Sequence, residues 1–413
     1  MKIAAFHLMP YRDLPEDFDK THDSAWFTLP FESVADRKLC AEYYNHTLDE
    51  LTYAAEVGFD GVCTNEHHQN AYGFMVNPNM MGSVLARATR GKETAIIQMG
   101  ETSVFLNPPN RVAEEYAMLD CISEGRMVAG FPVGLGGDFA YSYGMAPMEQ
   151  RGRYREAHAL IKKAWTEKEQ FAWNGKYYQL PMVNLWPKPY QEPHPPVWVP
   201  GNASPSTWDF VTENNYCYCY LTYFGAKGAG TIVNGYWDKV EEAGLDRNPY
   251  RMGYLVPVGV SATDESAEAE YGRHIEYFYH KLLHMPEQYL LPPGHMTHSS
   301  LEFLLKKRPF PSYDELNNYK YKHFEENEFL VTGSAATVVD KLKSIIKRLN
   351  VGNLMILPQF GSMPHEQTME NIERIGKDVL PHLKGIWDDE GWENHWWPQN
   401  AAPNKPSKKN KAA

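Results

Sequence analysis

The chain has 413 residues, of which 43% are hydrophobic and 22% are charged, and its formal net charge at pH 7 is -12. This composition is typical of a soluble globular protein, and the acidic balance argues against a nucleic-acid partner, which would require a basic surface. No apolar run approaches the roughly 20 residues that span a bilayer, so we expect no membrane-spanning segment.

Cysteine usage favours a reducing environment. An odd number of cysteines in a long chain argues against a disulfide framework and predicts a cytoplasmic protein. The Cys217-Tyr218-Cys219 segment lacks the second ligand pair of a zinc site, so we expect no bound metal. The five cysteines are Cys40, Cys63, Cys121, Cys217 and Cys219.

Strand-like and helix-like segments alternate along most of the chain. The predicted strands cover residues 3–9, 58–64, 94–104, 127–131, 197–200, 216–222, 252–260 and 353–357. The predicted helices cover residues 37–57, 78–90, 111–123, 151–165, 231–243, 264–283, 334–349 and 365–380, and a further helix follows Ser204, which we predict to be its N-cap.

Eight strand–helix units predict an α/β protein with a closed parallel (β/α)8 TIM barrel rather than an open sheet. Three long stretches interrupt the alternation as insertions after strand 1 (residues 11–36), before strand 5 (171–196) and after strand 7 (284–328). We expect the first and third to be irregular and the second to contain a hairpin. The barrel domain is predicted to cover residues 1–385, and residues 386–413 form a C-terminal extension that ends in a disordered basic tail.

A cluster of polar and titratable residues follows the second predicted strand. The run from Asp60 to Asn70 reads D-G-V-C-T-N-E-H-H-Q-N. The carboxyl ends of parallel strands carry the chemistry of α/β proteins, and histidine exchanges protons near neutral pH. Because neighbouring side chains on a strand point to opposite faces, only one of His67 and His68 is expected to face a pocket. We expect His68 and Glu66 to lie on the other face and to support the barrel.

Several segments together carry a resemblance to a known family. They are A-E-V-G-F-D-G-V (55–62), E-H-H-Q (66–69), N-P-P-N-R-V-A-E-E-Y-A-M-L-D-C-I-S-E-G-R (107–126), R-G-R-Y-R-E-A (151–157), P-P-V-W-V-P-G-N-A-S-P-S (195–206) and G-S-A-A-T-V-V-D-K-L (333–342). In this order they resemble the bacterial luciferase-like family of flavin-dependent monooxygenases. The resemblance implies a parallel barrel that binds reduced FMN at the carboxyl ends of its strands and uses dioxygen to oxidise a small organic substrate.

The resemblance also implies roles for individual residues. His67 corresponds to the active-site histidine, where it could transfer protons during the reaction; the alternative is a structural histidine bonded to a carbonyl. The expected flavin contacts after strands 3 and 4 are Gly100, Glu101, Thr102, Asn107 and Gly134. Glu101 departs from the small residues expected there, and is either a substrate contact or a buried carboxylate paired with an arginine.

The turn after strand 5 is the predicted phosphate site. Small residues that lead into a helix N-terminus form a ready anion site, because the free amides and the helix dipole both favour negative charge. The residues are Gly201, Asn202, Ala203 and Ser204, with Ser206 nearby. In luciferase an arginine near the position of Val133 helps to bind the phosphate, and Arg151, Arg153 or Lys227 could replace it here.

Substrate and partners follow from the same resemblance. Aromatic residues could line a substrate pocket for an apolar or aromatic compound, and these are Trp26, Phe27, Tyr72, Phe74 and Tyr141, together with Tyr143 and Tyr223. No G-x-G-x-x-G nicotinamide fingerprint is present, so a separate reductase would supply the reduced FMN. The insertion at 284–328 corresponds to a lid, and family members commonly form homodimers.

Three other functions remain open from the sequence. A deazaflavin-dependent dehydrogenase of the same fold would transfer hydride instead of using dioxygen. A glycosidase on a similar barrel would need two acids roughly 5 to 9 Å apart at the strand ends, and no obvious pair is visible. A flavin-storage protein would have no activity to lose on substitution of His67.

Overall fold

The computed structural model describes residues 1–102, 108–221, 224–307, 311 and 313–401. Within these residues the strands are β1 (Lys2–Phe6), β2 (Gly61–Thr64), β3 (Ala95–Gln98), β4 (Met127–Gly130), β5 (Phe171–Asn174), β6 (Gln179–Val183), β7 (Val197–Gly201), β8 (Cys217–Leu221), β9 (Met252–Ser261), β10 (Val331–Ser334) and β11 (Asn353–Leu357). The helices are α1 (Phe18–Thr21), α2 (Phe31–Val34), α3 (Arg37–Glu56), α4 (Pro78–Ala88), α5 (Asn110–Ile122), α6 (Gln150–Thr166), α7 (Pro205–Asn214), α8 (Gly225–Glu242), α9 (Ala267–Tyr277), α10 (Glu287–Leu290), α11 (His298–Lys307), α12 (Tyr313–Asn318), α13 (Tyr321–Glu326), α14 (Ala335–Leu349), α15 (His365–Arg374) and α16 (Leu380–Leu383).

Eight parallel strands close into a barrel. The order is β11-β1-β2-β3-β4-β7-β8-β9, and β9 closes the ring because it pairs with both β8 and β11. Nearly every residue of these strands is buried, as expected when helices cover the outside of a parallel sheet. The predicted (β/α)8 barrel is therefore confirmed.

The insertions contain more regular structure than predicted. The hairpin predicted within residues 171–196, before the fifth barrel strand (β7), is present as β5 and β6. The expectation that the first and third insertions are irregular was wrong, because the first contains α1 and α2 and the third contains α10 to α13. Helices of four to ten residues are too short to form without tertiary packing, and here the buried rings of Phe18 and Phe324 supply it. Strand β10, which pairs with the second half of β9, was also missed.

Residues 386–401 cover the N-terminal end of the barrel. Trp396 and Trp397 are both buried there. The backbone carbonyl of Trp396 accepts a 2.7 Å hydrogen bond from the Trp198 indole, and the Trp397 ring lies 5.9 Å from the Trp198 ring. The extension thus packs on its own barrel as far as Ala401, and the basic tail beyond it lies outside the described residues.

A buried carboxylate holds α3 and α15 near the end of β1. Glu50 of α3 is fully buried and accepts hydrogen bonds from His7 (2.6 Å), Arg12 (3.2 Å) and His365 (2.9 Å). His7 Nδ1 accepts the amide hydrogen of Met9, so its Nε2–H must donate to Glu50. Burial alone would raise the pKa of Glu50, but the hydrogen bonds of His365 and His7 and the Arg12 charge outweigh it and lower that pKa to about 2.

Candidate active site

The predicted histidine cluster lies in a loop at the carboxyl end of the barrel. Strand β2 ends at Thr64, so the alternation of strand faces does not apply to Glu66, His67 and His68, and that prediction was wrong. His67 is held by its backbone amide, which donates a 3.2 Å hydrogen bond to the carbonyl of Met75. Both histidines face the turn that follows β4, where His67 lies near Asp138 and His68 lies near Tyr143.

Glu66 and His68 form an ion pair at this turn. His68 Nε2 lies 3.2 Å from Glu66 Oε1 and 3.3 Å from the Tyr143 hydroxyl, and Glu66 Oε2 accepts the amide hydrogen of Thr102 at 2.6 Å. Burial works to lower the pKa of His68, but the Glu66 hydrogen bond and the charges of Glu66 and Asp138 outweigh it, so that pKa is raised. Burial beside Glu66 and Asp138 raises the pKa of Tyr143 to about 12.

His67 faces Asp138 across a gap. Its Nδ1 lies 3.9 Å from Asp138 Oδ2, which is too long for a hydrogen bond. Within the described residues, neither His67 Nδ1 nor Asp138 Oδ1 has a hydrogen-bond partner. The His67 side chain retains 19% of its exposure, whereas that of Asp138 retains 3%. Asp138 was not singled out from the sequence, although it closes the glycine-rich run 134–137.

Four of the five predicted substrate-pocket rings meet beside this pair. Trp26 stacks on Tyr72 at 4.8 Å, and His67 packs edge-on against both rings at 6.0 and 5.0 Å. Phe27 contacts Trp26 at 5.9 Å and Tyr141 at 5.4 Å. We call these rings, together with Tyr289, the aromatic cluster.

The fifth predicted ring lies elsewhere. Phe74 packs against Tyr43 and Tyr44 of α3, at centroid distances of 6.3 and 5.6 Å. Asn107 and Tyr223, which were also predicted site residues, lie outside the described residues.

The end of β3 is buried against β4 and α5. A Cβ on Gly100 would lie 2.6 Å from the carbonyl oxygens of Gln98 and Gly130, so only glycine fits this close backbone approach. Glu101 is buried and donates its backbone amide hydrogen to the Tyr116 hydroxyl at 2.9 Å. Thr102 is buried, and its methyl group lies against Gly134, whose φ is +93°.

Glu101 has no arginine partner among the described residues, so the predicted arginine pair was wrong. Its carboxyl group instead contacts the amide of Asn79, which also donates a 3.0 Å hydrogen bond to Glu115. Burial, followed by the charges of Glu115 and Glu66, raises the pKa of Glu101 well above its usual value. Burial and these neighbouring charges therefore favour the neutral form of the Glu101 carboxyl group.

The insertion after β9 covers the glycine-rich turn. Gly137 packs so closely on the Tyr289 carbonyl and the Phe27 ring that a Cβ would overlap both. A Cβ on Gly136 would lie 2.6 Å from Pro292 and 2.8 Å from His295. His295 in turn bonds Gln150 at 2.8 Å, and the Gln150 amide donates to the carbonyl of Gly134. The mouth is thus closed by residues 289–295 in this structure.

An arginine surrounded by hydroxyl groups lies at the end of β7. Arg151 of α6 donates to Ser204 at 3.1 Å and to Thr207 at 3.4 Å, and its Nε has no partner within the described residues. Ser204 also contacts Ser206 at 3.2 Å and Ser300 of α11 at 3.0 Å. The five residues are called the Arg151 cluster.

The Arg151 cluster has the properties of an anion site. No carboxylate lies within ion-pair distance of Arg151 among the described residues, and burial lowers the pKa of its guanidinium. Ser204 occupies the N-cap position of α7, but its side chain makes no capping bond, contrary to prediction, and turns to Arg151 instead. Ser300 is the third residue of α11, so two helix N-termini meet at the cluster.

The residues before Ser204 complete the turn that was predicted to bind phosphate. Ala203 is buried, and Asn202 accepts hydrogen bonds from Ala203 N (2.9 Å) and from the Tyr218 hydroxyl (2.6 Å). Gly201 ends β7 beside the Tyr218 ring. Of the other basic candidates, Arg153 is neutralised by Glu149 at 2.9 Å, and Lys227 is exposed on α8. Arg151 is therefore the candidate with an unmatched charge.

Some contributors to the site could not be found from the sequence. Ser300 and His295 lie in an insertion with no recognisable motif, whereas Thr207 directly follows the predicted S-P-S segment. Two cavities of about 530 and 480 Å³ lie away from the mouth, one beside Trp396 and one beside α13. In the described part of the chain, no group of His, Cys, Asp or Glu side chains could hold a metal, and no helix could cross a membrane.

Comparison with known proteins identifies the family of this chain. A sequence model of the luciferase-like monooxygenase family matches residues 24–350. The oxygenase component of the flavin-dependent trigonelline monooxygenase from Acinetobacter baylyi is 30% identical over 193 residues, which cover 44% of this chain and 50% of that protein. The chain thus spans about half the length of this curated relative.

Two solved structures have the same fold. One is the oxygenating constituent of 3,6-diketocamphane monooxygenase from Pseudomonas putida, a type II Baeyer–Villiger monooxygenase in complex with FMN, with a TM-score of 0.67 and 18% identity over 92% of this chain and 98% of that chain. The other is an F420-dependent secondary alcohol dehydrogenase, with a TM-score of 0.61 and 15% identity over 92% of this chain and 98% of that chain. These identities establish the fold alone, but the family match covers most of the sequence, and the chain belongs to the luciferase-like monooxygenase family.

Proposed function

We propose that the protein is the oxygenase component of a two-component monooxygenase. It would take reduced FMN from a separate reductase and use dioxygen to hydroxylate, or to oxidise in the Baeyer–Villiger manner, a small apolar or aromatic compound. Support comes from the family match and from the trigonelline relative, which is named as an oxygenase component. The five unpaired cysteines support a cytoplasmic location, where a reductase would be available.

The unmatched charge of Arg151 is the observation that carries this proposal. A partly buried guanidinium with no carboxylate partner is costly unless an anion binds to it. Arginine binds phosphate through two parallel hydrogen bonds, and the hydroxyls of Ser204, Ser206, Thr207 and Ser300 add further donors. The Arg151 cluster therefore fits the phosphate of FMN, in place of the arginine that luciferase has near the position of Val133.

FMN supplies the electrons that activate dioxygen, and the chain supplies binding, shielding and proton transfer. Among the described residues His67 Nδ1 makes no hydrogen bond and lies 3.9 Å from Asp138, so it is available to transfer a proton at the mouth. The aromatic cluster and residues 289–295 exclude water once the site is closed. A flavin-sized ligand can enter only if this cover opens, as lid segments do in many enzymes.

Anaerobic titration with reduced FMN, followed by admission of air, tests the proposal. We expect saturable binding of reduced FMN, and then product formation coupled to dioxygen once a substrate is present. His67→Gln should lower the oxidation rate by roughly 10²- to 10⁴-fold while FMN binding is retained, and His382→Gln, at an exposed histidine, is the matched control.

Other outcomes of this titration would contradict the proposal. Hydride transfer from a substrate to an oxidised deazaflavin, with no requirement for dioxygen, would identify the dehydrogenase alternative, because the Arg151 cluster suits any phosphorylated flavin. FMN binding with no activity lost in His67→Gln would indicate flavin storage.

We also propose that the protein forms a homodimer through α4 and α5. Apolar side chains with 40% to 69% exposure lie on these two adjacent helices, at Met80, Val84, Met118 and Ile122, and Val76 lies two residues before α4. The i, i+4 spacing within each helix places its members on one face. An apolar patch of this kind marks an interaction surface.

Light scattering after size exclusion tests the homodimer. Val84→Glu should convert the dimer to a monomer, because a charge would be buried at the interface. Met182→Glu, on the exposed hairpin strand β6, should leave the mass unchanged. A monomeric wild-type protein at micromolar concentration would contradict the proposal.

A further inference from the structure

Asp138 is a buried carboxylate with one unsatisfied oxygen within the described residues. Its side chain is 3% exposed, and its ion-pair partner among the described residues is His67, whose Nδ1 lies 3.9 Å from Oδ2. Oδ1 has no hydrogen-bond partner within the described residues. Buried carboxylates in proteins are normally paired or hydrogen-bonded, because burying an isolated charge is unfavourable. The missing partner is therefore expected to arrive with a ligand.

Apart from His67, no positively charged side chain among the described residues lies close enough to pair with the Asp138 carboxylate. Glu66 and His68 pair with each other at 3.2 Å, and no lysine or arginine among the described residues lies within 4 Å of Asp138. Arg151 is held by the hydroxyl groups of Ser204 and Thr207. Within the described residues, the turn thus presents to the mouth a buried carboxylate whose ion-pair partner is the His67 imidazole, too distant for a hydrogen bond.

The walls next to this charge are aromatic. Gly137, the residue before Asp138, packs directly on the Phe27 ring, and Tyr141 belongs to the same helical turn as Asp138. Phe27, Tyr141 and Tyr289 contact one another at 5.2 to 5.4 Å. On the other side His67 contacts the rings of Trp26 and Tyr72. The faces of aromatic rings attract cations, most strongly where water is excluded.

We propose that the substrate of this enzyme is a planar organic cation, a protonated or N-alkylated nitrogen heterocycle, whose positive nitrogen pairs with Asp138 while its ring packs on the aromatic cluster. This rests on the proposed function, because it assumes that a small molecule is oxidised at the barrel mouth. It also gives the two histidines different roles, because His67 would adjoin the bound ring, whereas His68 neutralises Glu66.

The test compares cationic and neutral rings of the same shape. N-methylpyridinium and toluene are titrated separately into the full-length protein saturated with FMN, with tryptophan fluorescence as the readout. We expect N-methylpyridinium to bind at least about tenfold more tightly. Asp138→Asn should abolish this preference, Asp138→Glu should retain part of it, and Asp209→Asn, at an acid on the outer helix α7, should leave it unchanged.

Each remaining outcome decides against the inference. Equal affinity of the wild-type protein for the two rings would overturn it without any variant, so a variant that does not fold leaves the test intact. An unchanged preference in Asp138→Asn would overturn it, and so would a loss confined to FMN affinity, which would make Asp138 a flavin contact. Failure of reduced FMN to bind at all would refute the proposed function instead, and the two failures are read from different titrations.

Discussion

Replacing Arg151 by methionine tests the phosphate site most sharply. The change removes the charge and both donors to Ser204 and Thr207 but keeps much of the side-chain volume. Hydrogen bonds to charged groups contribute about 1.5 to 3 kcal/mol each, so the loss of two arginine–phosphate bonds should cost roughly 3 to 6 kcal/mol. Since 1.4 kcal/mol is tenfold in affinity, FMN should bind at least about 100-fold more weakly.

The same substitution should not destabilise the protein without its cofactor. Among the residues that the structure describes, Arg151 has no carboxylate partner that would be left unpaired, because it donates to hydroxyl groups. Removing a partly buried charge that has no counter-ion is expected to be neutral or stabilising. Thermal unfolding without flavin should therefore give a melting temperature for Arg151→Met equal to or above that of the wild type.

Anaerobic fluorescence titrations with FMN and with riboflavin complete this test. Riboflavin lacks the phosphate, so its affinity should change little in Arg151→Met, while that of FMN falls. Arg153→Met removes an arginine on the same helix that is already paired with Glu149, and it should leave FMN binding intact. Equal losses for both flavins, or a loss in Arg153→Met as large as in Arg151→Met, would refute the assignment.

Three further predictions concern stability. The pKa of Glu50 is about 2 in the folded protein, so the unfolded state binds more protons between about pH 2 and 4.5. Glu50 should therefore contribute roughly 3 kcal/mol of stability above this pH window, and the contribution should be lost as the pH falls through it. Urea unfolding should show this loss in the wild type but not in Glu50→Gln. The pKa of Glu101 is raised, so its contribution to stability should decrease as the pH rises above about 4.5; thermal melts at pH 5 and 8 should show a smaller difference in Glu101→Gln, and an unchanged difference would contradict this. Trp396→Ala should cost about 3 to 5 kcal/mol in urea unfolding, whereas Trp186→Ala, at a residue that is 81% exposed, should stay within about 0.5 kcal/mol; similar losses in both would show that the extension does not stabilise the barrel.

The barrel was predictable because its signals are local. Each barrel strand is a short apolar run between turn residues, and the run Asn353–Leu357 was predicted to the residue. Pro78 correctly marked the start of α4, because proline suits the first helical position. The helix predicted to end at Val57, before Gly58, ends at Glu56, and Gly58 has the positive φ of +105° that glycine suits. Strand β10 was missed since four residues next to a helix carry too little pattern to be separated from it.

The site was predictable only where its residues lie at the ends of strands. His67 and Ser204 could be singled out as candidates because each follows an apolar strand, and their roles stay predictions. The hydrogen bond between Ser204 and Ser300 joins residues 96 positions apart, and that between His295 and Gln150 joins residues 145 positions apart. Contacts of this kind arise when an insertion folds over the mouth, and no spacing in the sequence encodes them.

The orientation of side chains was the least predictable feature. Strand alternation was expected to separate His67 from His68, but β2 ends three residues earlier and the loop sets both rings. Likewise, a serine at an N-cap position was expected to bond the helix amides, whereas Ser204 bonds Arg151. Local rules describe what a residue does without competing partners, and a nearby guanidinium is a stronger partner than an amide.

The fate of dioxygen tests the central claim most directly. The protein would be supplied with reduced FMN and a planar cationic substrate under ¹⁸O₂, and the product would be analysed by mass spectrometry. If the barrel mouth is the site of a monooxygenase, each product molecule carries one ¹⁸O atom, and the other oxygen atom appears in water. In Arg151→Met at low FMN concentration, the labelled product should no longer form. An oxidised product that contains no ¹⁸O, or that forms equally well without dioxygen, would contradict the account.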